Sequence, residues 1–333
     1  MAGIIFSEGS NVNNSIFGKS QEPIKMFLEK RGEEFEAKSM LPEIFNMGTS
    51  NHFGEKFTTM TAMDGFMPVG ENGAYPQVGQ EEGYSKFLEH MTWKSQFSLS
   101  REIIDDAKLM DLRQKPQAFI TAYYRTREQF GAALLGGATQ KLTKIKFAGR
   151  DFDATCADGQ PLFSKAHPSK VKGGNQSNLF ADAFSADALG KLEERMQNTK
   201  GDNGELLDVA PATIIIPNDY ALKKAVFVAL GSDKDAEVSG SNATSYVFGR
   251  YNVIVWNYLN QYLASGAKPW ILMDKQYNED YGSAMWLDRT NLEVRSELAE
   301  NDANVWKGYA RFTAGFNDWR GFAVGGVTGG DTL

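Results

Sequence analysis

The alternation of apolar and polar residues is clearest over 93–103, where it predicts a half-buried strand. Trp93, Phe97 and Leu99 fall on one face of this strand, and mostly charged or hydroxyl side chains fill the other. A second, shorter strand is predicted at 57–63 from its aromatic and β-branched residues.

Glycine and proline punctuate the 29 residues between these strands, 64–92. Long loops are uncommon inside compact domains and usually carry function. A long two-stranded arm is also only marginally stable by itself. We therefore expect this segment to form a hairpin-like arm that lies on another copy of the chain. The candidate interface side chains on the arm and the strand after it are Phe66, Tyr75, Tyr84, Phe87, Trp93 and Phe97.

A helical period of apolar residues follows over 116–135 and predicts one long helix. Pro116 suits a first helical turn, and Gly136 with Gly137 suits a C-terminal stop. At 1.5 Å per residue such a helix is about 30 Å long. Its candidate packing residues are Phe119, Tyr123, Phe130 and Leu134.

The other elements are shorter and do not alternate regularly between strand and helix. An amphipathic helix is predicted at 23–41, with a break near Gly32. A short helix is predicted at 187–197, a buried strand at 213–216 and a helix at 220–230. Several short strands follow. This order predicts an α+β fold rather than a doubly wound parallel sheet.

The overall charge and the single cysteine narrow the function classes. A net charge of −7 argues against a chain whose main task is to bind nucleic-acid phosphates. Cys156 is the only cysteine, so a reducing compartment is expected. The first residues lack the pattern of a signal peptide, and no run approaches the roughly 18 apolar residues of a membrane span. A cytosolic protein without membrane contact is the simplest interpretation.

Candidate catalytic chemistry is confined to one cluster. Cys156 and His167, with Asp153 and Asp158 nearby, are compatible with the active site of a cysteine-type hydrolase. Catalytic triads usually combine residues that are distant in sequence, so a loop of structural residues is the stronger interpretation. The common zinc motifs and the glycine-rich phosphate loops do not occur in the sequence, and no metal or cofactor is expected.

One local sequence adds a family resemblance to this reading. Residues 158–168 read DGQPLFSKAHP, which is similar to a stretch of the Mu-like major head subunits of tailed bacteriophages. The order of arm, hairpin-like loop, long helix and mixed domain also resembles the Hong Kong-97-type capsid fold. Residues 212–230, 251–256 and 306–326 resemble further segments of that family.

The resemblance implies a division of the chain. By analogy, it has an N-terminal arm at 1–55, an E-loop at 56–104, a P-domain at 105–178 and 288–333 with the spine helix at about 116–135, and an A-domain at 179–287. The E-loop would lie across an adjacent subunit, and the spine helix would face inward.

The function implied by the resemblance is that of a major capsid protein. Such chains assemble as hexamers and pentamers into an icosahedral shell around double-stranded DNA, in the virion after assembly in the host cytoplasm. The chain itself is then its main partner, with portal, scaffold and decoration proteins beside it. Many relatives carry a long N-terminal scaffolding segment; this sequence lacks one, so a separate scaffold is expected. An encapsulin-type compartment shell is the nearest alternative, and a cysteine hydrolase or a monomeric binding module are the alternatives from other classes.

Overall fold

The structure is a computed structural model that describes residues 4–8, 18–60, 66–71, 73–77, 79, 82–105, 109–171, 174–231, 245 and 247–333. The strands are β1 (Ile5–Glu8), β2 (Asn46–Thr49), β3 (Gly54–Met60), β4 (Glu82–Glu89), β5 (Met91–Leu99), β6 (Lys144–Phe147), β7 (Arg150–Asp153), β8 (Thr213–Pro217), β9 (Asn252–Trp256), β10 (Trp270–Met273), β11 (Ala284–Leu298), β12 (Asn304–Phe316) and β13 (Phe322–Gly325). The helices are α1 (Gly18–Glu36), α2 (Leu41–Ile44), α3 (Arg101–Asp105), α4 (Leu109–Thr139), α5 (Ala186–Gln197), α6 (Tyr220–Gly231) and α7 (Lys275–Tyr281), with a 3₁₀ turn at Asn257–Tyr262.

The larger sheet has five strands and is built around the antiparallel pair β11–β12. On one side, β5 pairs antiparallel with β12 over nine residues, from Met91 opposite Phe312 to Leu99 opposite Asn304. On the other side, β1 and β2 pair in parallel with different parts of β11. The predicted strand at 93–103 is therefore present, but it ends at Leu99 because α3 begins two residues later.

The long helix α4 packs against this sheet and is longer at both ends than predicted. It has 31 residues and contains Pro116 in its interior. At its other end it continues through Gly136 and Gly137. A Cβ atom on Gly136 would lie 2.7 Å from Tyr262, and one on Gly137 would lie 2.3 Å from Ile145. The two glycines thus allow close packing rather than ending the helix.

The first helix shows the same effect of a glycine at a close contact. Residue 32 was predicted to break this helix, but α1 continues to Glu36. A Cβ on Gly32 would lie 3.2 Å from both Ile4 and the Tyr124 hydroxyl, so a small residue fits against α4 here. The predicted extension of this helix to residue 41 is wrong, since α1 stops before the short helix α2.

The smaller sheet has four strands in the order β13-β10-β8-β9. Strand β8 is buried along its whole length, as its apolar pattern predicted. Helix α6 connects the parallel strands β8 and β9, and α5 contacts β13. The C-terminal segment contributes to both sheets: β12 belongs to the larger sheet, whereas β13 pairs with β10 in the smaller one. The combination of helices with two mixed sheets, without regular alternation of strand and helix, confirms the predicted α+β class.

The hairpin before α4 is formed by β3 and β4, from Gly54 opposite Glu89 to Met60 opposite Glu82. We call residues 54–89 the arm. Strand β4 lies inside the segment that was predicted to be a loop. Strand β5 is not part of the arm, because after the single residue His90 it joins β12 in the larger sheet.

Candidate subunit interface

The described residues at the tip of the arm, 66–71, 73–77 and 79, present apolar side chains to solvent. Phe66 and Tyr75 are fully exposed, and Met67 and Val69 are exposed as well. Soluble monomers rarely display a run of large apolar side chains without using it for binding. The exposed side chains at the tip therefore form the candidate contact surface.

Strand β4 of the arm is held by its own subunit. The Lys86 ammonium is buried and donates to Asp153 at 2.6 Å and to Thr155 at 2.8 Å. Lys170 donates to the carbonyl oxygens of Glu82 and Gly83 at 2.9 and 2.7 Å. The expectation that the whole of 64–92 depends on another copy is therefore wrong for β4.

The Lys86–Asp153 pair affects the pKa of the Asp153 carboxyl group. Burial alone would raise the pKa of Asp153, but hydrogen bonds from Lys86 and Thr155 outweigh it and hold this pKa below its ordinary value. The ion pair thus attaches β4 to the end of β7 in the body of the subunit.

The six predicted interface side chains separate into two groups. Phe66, Tyr75 and Phe87 are exposed, and Tyr84 is half-buried with Lys170 above its ring. Trp93 instead stacks on Phe312 inside its own subunit, with ring centroids 4.8 Å apart. Phe97 likewise stacks on Trp306 at 6.1 Å.

This placement corrects the interface expectation for Trp93 and Phe97. Alternation identified the apolar face of their strand, but it could not show that the face is covered by α4 and β12 of the same chain.

The four predicted packing residues of α4 lie in the subunit interior: Phe119, Phe130 and Leu134 are buried, and Tyr123 is partly buried. The hydroxyl of Tyr123 accepts a hydrogen bond from Arg127 at 3.1 Å. Arg127, on the same helix, forms a bidentate ion pair with Asp288 on β11, a contact that was not predicted from the sequence. The only signal was an arginine on the aromatic side of the helix.

The environment of Cys156 does not favour nucleophilic chemistry. The thiol is buried, and burial, followed by the nearby Asp158 and Asp318, raises its pKa well above the ordinary value. His167 cannot serve as its base, because both ring nitrogens face other partners. Nδ1 lies 2.6 Å from an Asp158 oxygen, and Nε2 lies 3.2 Å from the Asn178 side-chain oxygen.

The loop around His167 instead has a structural role. The His167 ring stacks on the Trp319 ring, with centroids 4.3 Å apart. The Asn178 amide donates to the carbonyls of Leu162 and Phe322, which connects the 158–168 segment to β13. Within the described residues, no cluster of histidine, cysteine and carboxylate side chains could hold a metal ion.

A cleft of about 720 Å³ lies between α1, α4 and β11. Its wall includes Phe35, Tyr124, Trp256 and the Arg127–Asp288 pair. Neither Cys156 nor His167 lines it, so the cavity offers no support for a hydrolase site. No described helix combines the length and apolarity needed to cross a membrane.

Comparison with known families decides between these interpretations. A family model described as phage capsid protein matches residues 84–325, which run from β4 to β13. The chain belongs to this phage capsid family. Membership indicates a structural shell protein rather than an enzyme, in agreement with the environment of Cys156. No curated protein matches the sequence.

Solved structures place this capsid protein in the Hong Kong-97-type fold. The capsid of an empty GTA particle is 11% identical, with a TM-score of 0.50 over 89% of this chain and 90% of that one. A structure from Mycobacterium phage Patience is 12% identical, with a TM-score of 0.51 over 98% and 92%. The SrpI encapsulin of Synechococcus elongatus PCC 7942 is 12% identical, with a TM-score of 0.50 over 88% and 89%.

Proposed function

We propose that this chain is the major head subunit of a tailed phage, which assembles as hexamers and pentamers into an icosahedral shell around double-stranded DNA. The observation that carries the proposal is the arm: its strand β4 is fixed to the body by Lys86 and Lys170, while Phe66 and Tyr75 at its tip are fully exposed. An exposed apolar tip on an anchored strand fits a surface on a second copy.

Such a contact joins two different patches and is therefore heterologous, the type of interface that closes into rings. Each subunit would bind one neighbour through its own tip and would also bind the tip of another subunit. Assembly should therefore depend steeply on protein concentration. The acidic chain, with a net charge of −7, suits a wall that encloses DNA without adhering to it.

The finer assignments belong to the same proposal. We assign the N-terminal arm to 1–55, the E-loop to 56–104, the P-domain to 105–178 and 288–333, and the A-domain to 179–287. The resemblance of residues 158–168 supports a place in the Mu-like subfamily. A virion location, assembly in the host cytoplasm, and portal, scaffold and decoration partners follow from this function.

An encapsulin-type compartment is the second candidate, because SrpI matches the fold as well as the GTA capsid does. Electron microscopy of the purified protein tests the shell, and the contents of the particles separate the candidates. Nuclease-protected DNA in particles from infected cells supports the phage head. A co-purifying protein cargo without DNA supports the compartment, and a monomer at every concentration contradicts both.

The tip needs its own experiment. Deleting 64–92 would also remove β4, so residues 66–79 should be replaced by a short Gly-Ser linker. We expect a folded subunit, with unchanged thermal unfolding, that forms no particles. Particle yield equal to that of the unaltered chain would contradict the role given to the tip.

A further inference from the structure

His90 occupies the junction between the arm and the body of the subunit. It is the one residue between β4, which pairs within the arm, and β5, which pairs with β12. Its backbone N–H donates to the Phe53 carbonyl at 3.1 Å and closes the base of the arm. A change at His90 would therefore act at the point where the arm leaves the larger sheet.

The side chain of His90 is in an unusual position for a polar group. It is only 3% exposed, and neither ring nitrogen has a hydrogen-bond partner. Buried polar groups nearly always find partners, because leaving them unpaired costs free energy. A neutral imidazole leaves one donor and one acceptor unpaired here, whereas an imidazolium would leave two donors and a full charge.

The surrounding charges add to this cost. Arg289 on β11 and Arg311 on β12 oppose a positive charge at His90, while Glu55 on β3 and Asp288 on β11 favour one. Asp288 is already paired with Arg127, and Glu55 accepts a hydrogen bond from Ser50. Burial, followed by Arg289 and Arg311, outweighs the two carboxylates and holds the pKa of His90 below its ordinary value.

We propose that His90 is a proton-operated hinge: mild acid releases the base of the arm from the larger sheet, and neutral pH holds it closed. The closed arrangement keeps a neutral ring between β3, β11 and β12. Opening lets water reach the ring nitrogens. The open state therefore binds a proton at a pH at which the closed state remains unprotonated. The released junction can then bend, within the limits set by the contacts of Lys86 and Lys170 that join β4 to the body.

The direction of the pH dependence follows from this difference. The open state binds a proton near the ordinary histidine pKa of about 6.5, and the closed state binds it only at lower pH. The closed arm is therefore fully stable above pH of about 6.5 and loses stability as pH falls below it. With one proton taken up, the opening equilibrium can rise by up to about tenfold per pH unit.

Hydrogen–deuterium exchange on the purified, unassembled full-length chain tests the hinge. This measurement does not require a shell, so its outcome is separate from that of the proposed function. Between pH 7.5 and 5.5, with the intrinsic exchange rate corrected, we expect exchange in 54–60 and 82–92 to rise by up to about tenfold. Helix α5 at 186–197, which contacts the smaller sheet, should not change and serves as the internal reference.

Two variants remove the proton site, His90→Gln and His90→Leu, so that one misfolded variant does not end the test. Both should lose the pH-dependent rise. His52→Gln is the matched control, because His52 is an exposed histidine near the same junction and its loss should leave the rise unchanged. A rise that persists in either folded His90 variant would overturn the proposal, and so would an unaltered chain without a rise.

Discussion

The guanidinium of Arg127 on α4 meets the carboxylate of Asp288 on β11 through two hydrogen bonds, with N–O distances of 2.7 and 2.9 Å. Asp288 also accepts a hydrogen bond from the Trp286 indole at 3.1 Å. Both charged side chains are largely buried, and the guanidinium lies over the rings of Trp286 and Phe312. This pair joins the long helix to the larger sheet.

Arg127→Met should strongly destabilise the subunit, because it leaves the Asp288 carboxylate buried without its counter-charge. We expect a loss of about 3–5 kcal/mol in the free energy of unfolding, measured by urea denaturation. Arg31→Met removes an exposed i,i+3 pair with Glu34 and should cost less than about 1 kcal/mol. The double variant Arg127→Met with Asp288→Leu should recover most of the loss; equal losses in Arg127→Met and Arg31→Met would contradict the role of the pair.

Asp153→Asn should loosen the attachment of β4, because it leaves the buried Lys86 ammonium without its counter-charge, while the half-exposed position of Asp153 limits the loss. We expect a cost of about 1–3 kcal/mol in the free energy of unfolding at pH 7. Since the pKa of Asp153 is lowered in the folded state, its stabilisation is present above pH of about 4 and is lost as pH falls through the folded value.

Urea denaturation between pH 2 and pH 7 measures this dependence: the difference between Asp153→Asn and the unaltered chain should shrink towards pH 2. A difference that stays constant over this range would rule out the ionised pair. The Asp153 effect begins as pH falls to about 4, whereas the His90 effect begins at about 6.5, so the pH at which each effect begins distinguishes them.

Phe66→Ser combined with Tyr75→Ser should reduce particle formation without changing the fold. Both side chains are fully exposed, so their replacement costs the monomer almost nothing in unfolding free energy. Sedimentation velocity across a concentration series measures the loss of assembly. Leu206→Ser, a matched change of an exposed apolar side chain on the body, is the control. If both variants assemble like the unaltered chain, the tip is not the contact.

Cys156 should not react with a thiol reagent such as DTNB while the chain is folded. Its burial and raised pKa keep the thiol protonated and inaccessible, and the nucleophile in this reaction is the thiolate. One equivalent should react after unfolding in guanidinium chloride. Rapid reaction of the native protein would show an accessible, activated thiol and would revive the hydrolase interpretation.

Local patterns in the sequence were sufficient to predict the type of several elements, although not the elements that they pair with. The alternation around Trp93, the apolar run in β8 and the periodicity of α4 each predicted the correct type of element. The glycines at 32, 136 and 137 misled, because a glycine that ends a helix and a glycine that allows a close contact look alike in sequence. Only Ile4, Tyr262 and Ile145, brought there by the fold, distinguish the two uses.

The candidate interface was only partly predictable for the same reason. A mixture of glycine, proline and exposed aromatics identified the tip of the arm. The docking of its base through Lys86 depends on Asp153, 67 residues later. The burial of His90 depends on β11 and β12, which are about 200 residues away. Contacts at such sequence separations leave no periodic signal.

The strand order of the two sheets has a consequence for synthesis. The larger sheet requires β12 as the partner of β5, and the smaller sheet receives its edge strand β13 only from residues 322–325. A nascent chain that has not passed this region leaves β5 without its neighbour and β10 with one open edge. Neither sheet can be completed during most of translation, so a truncated polypeptide cannot present a finished building block.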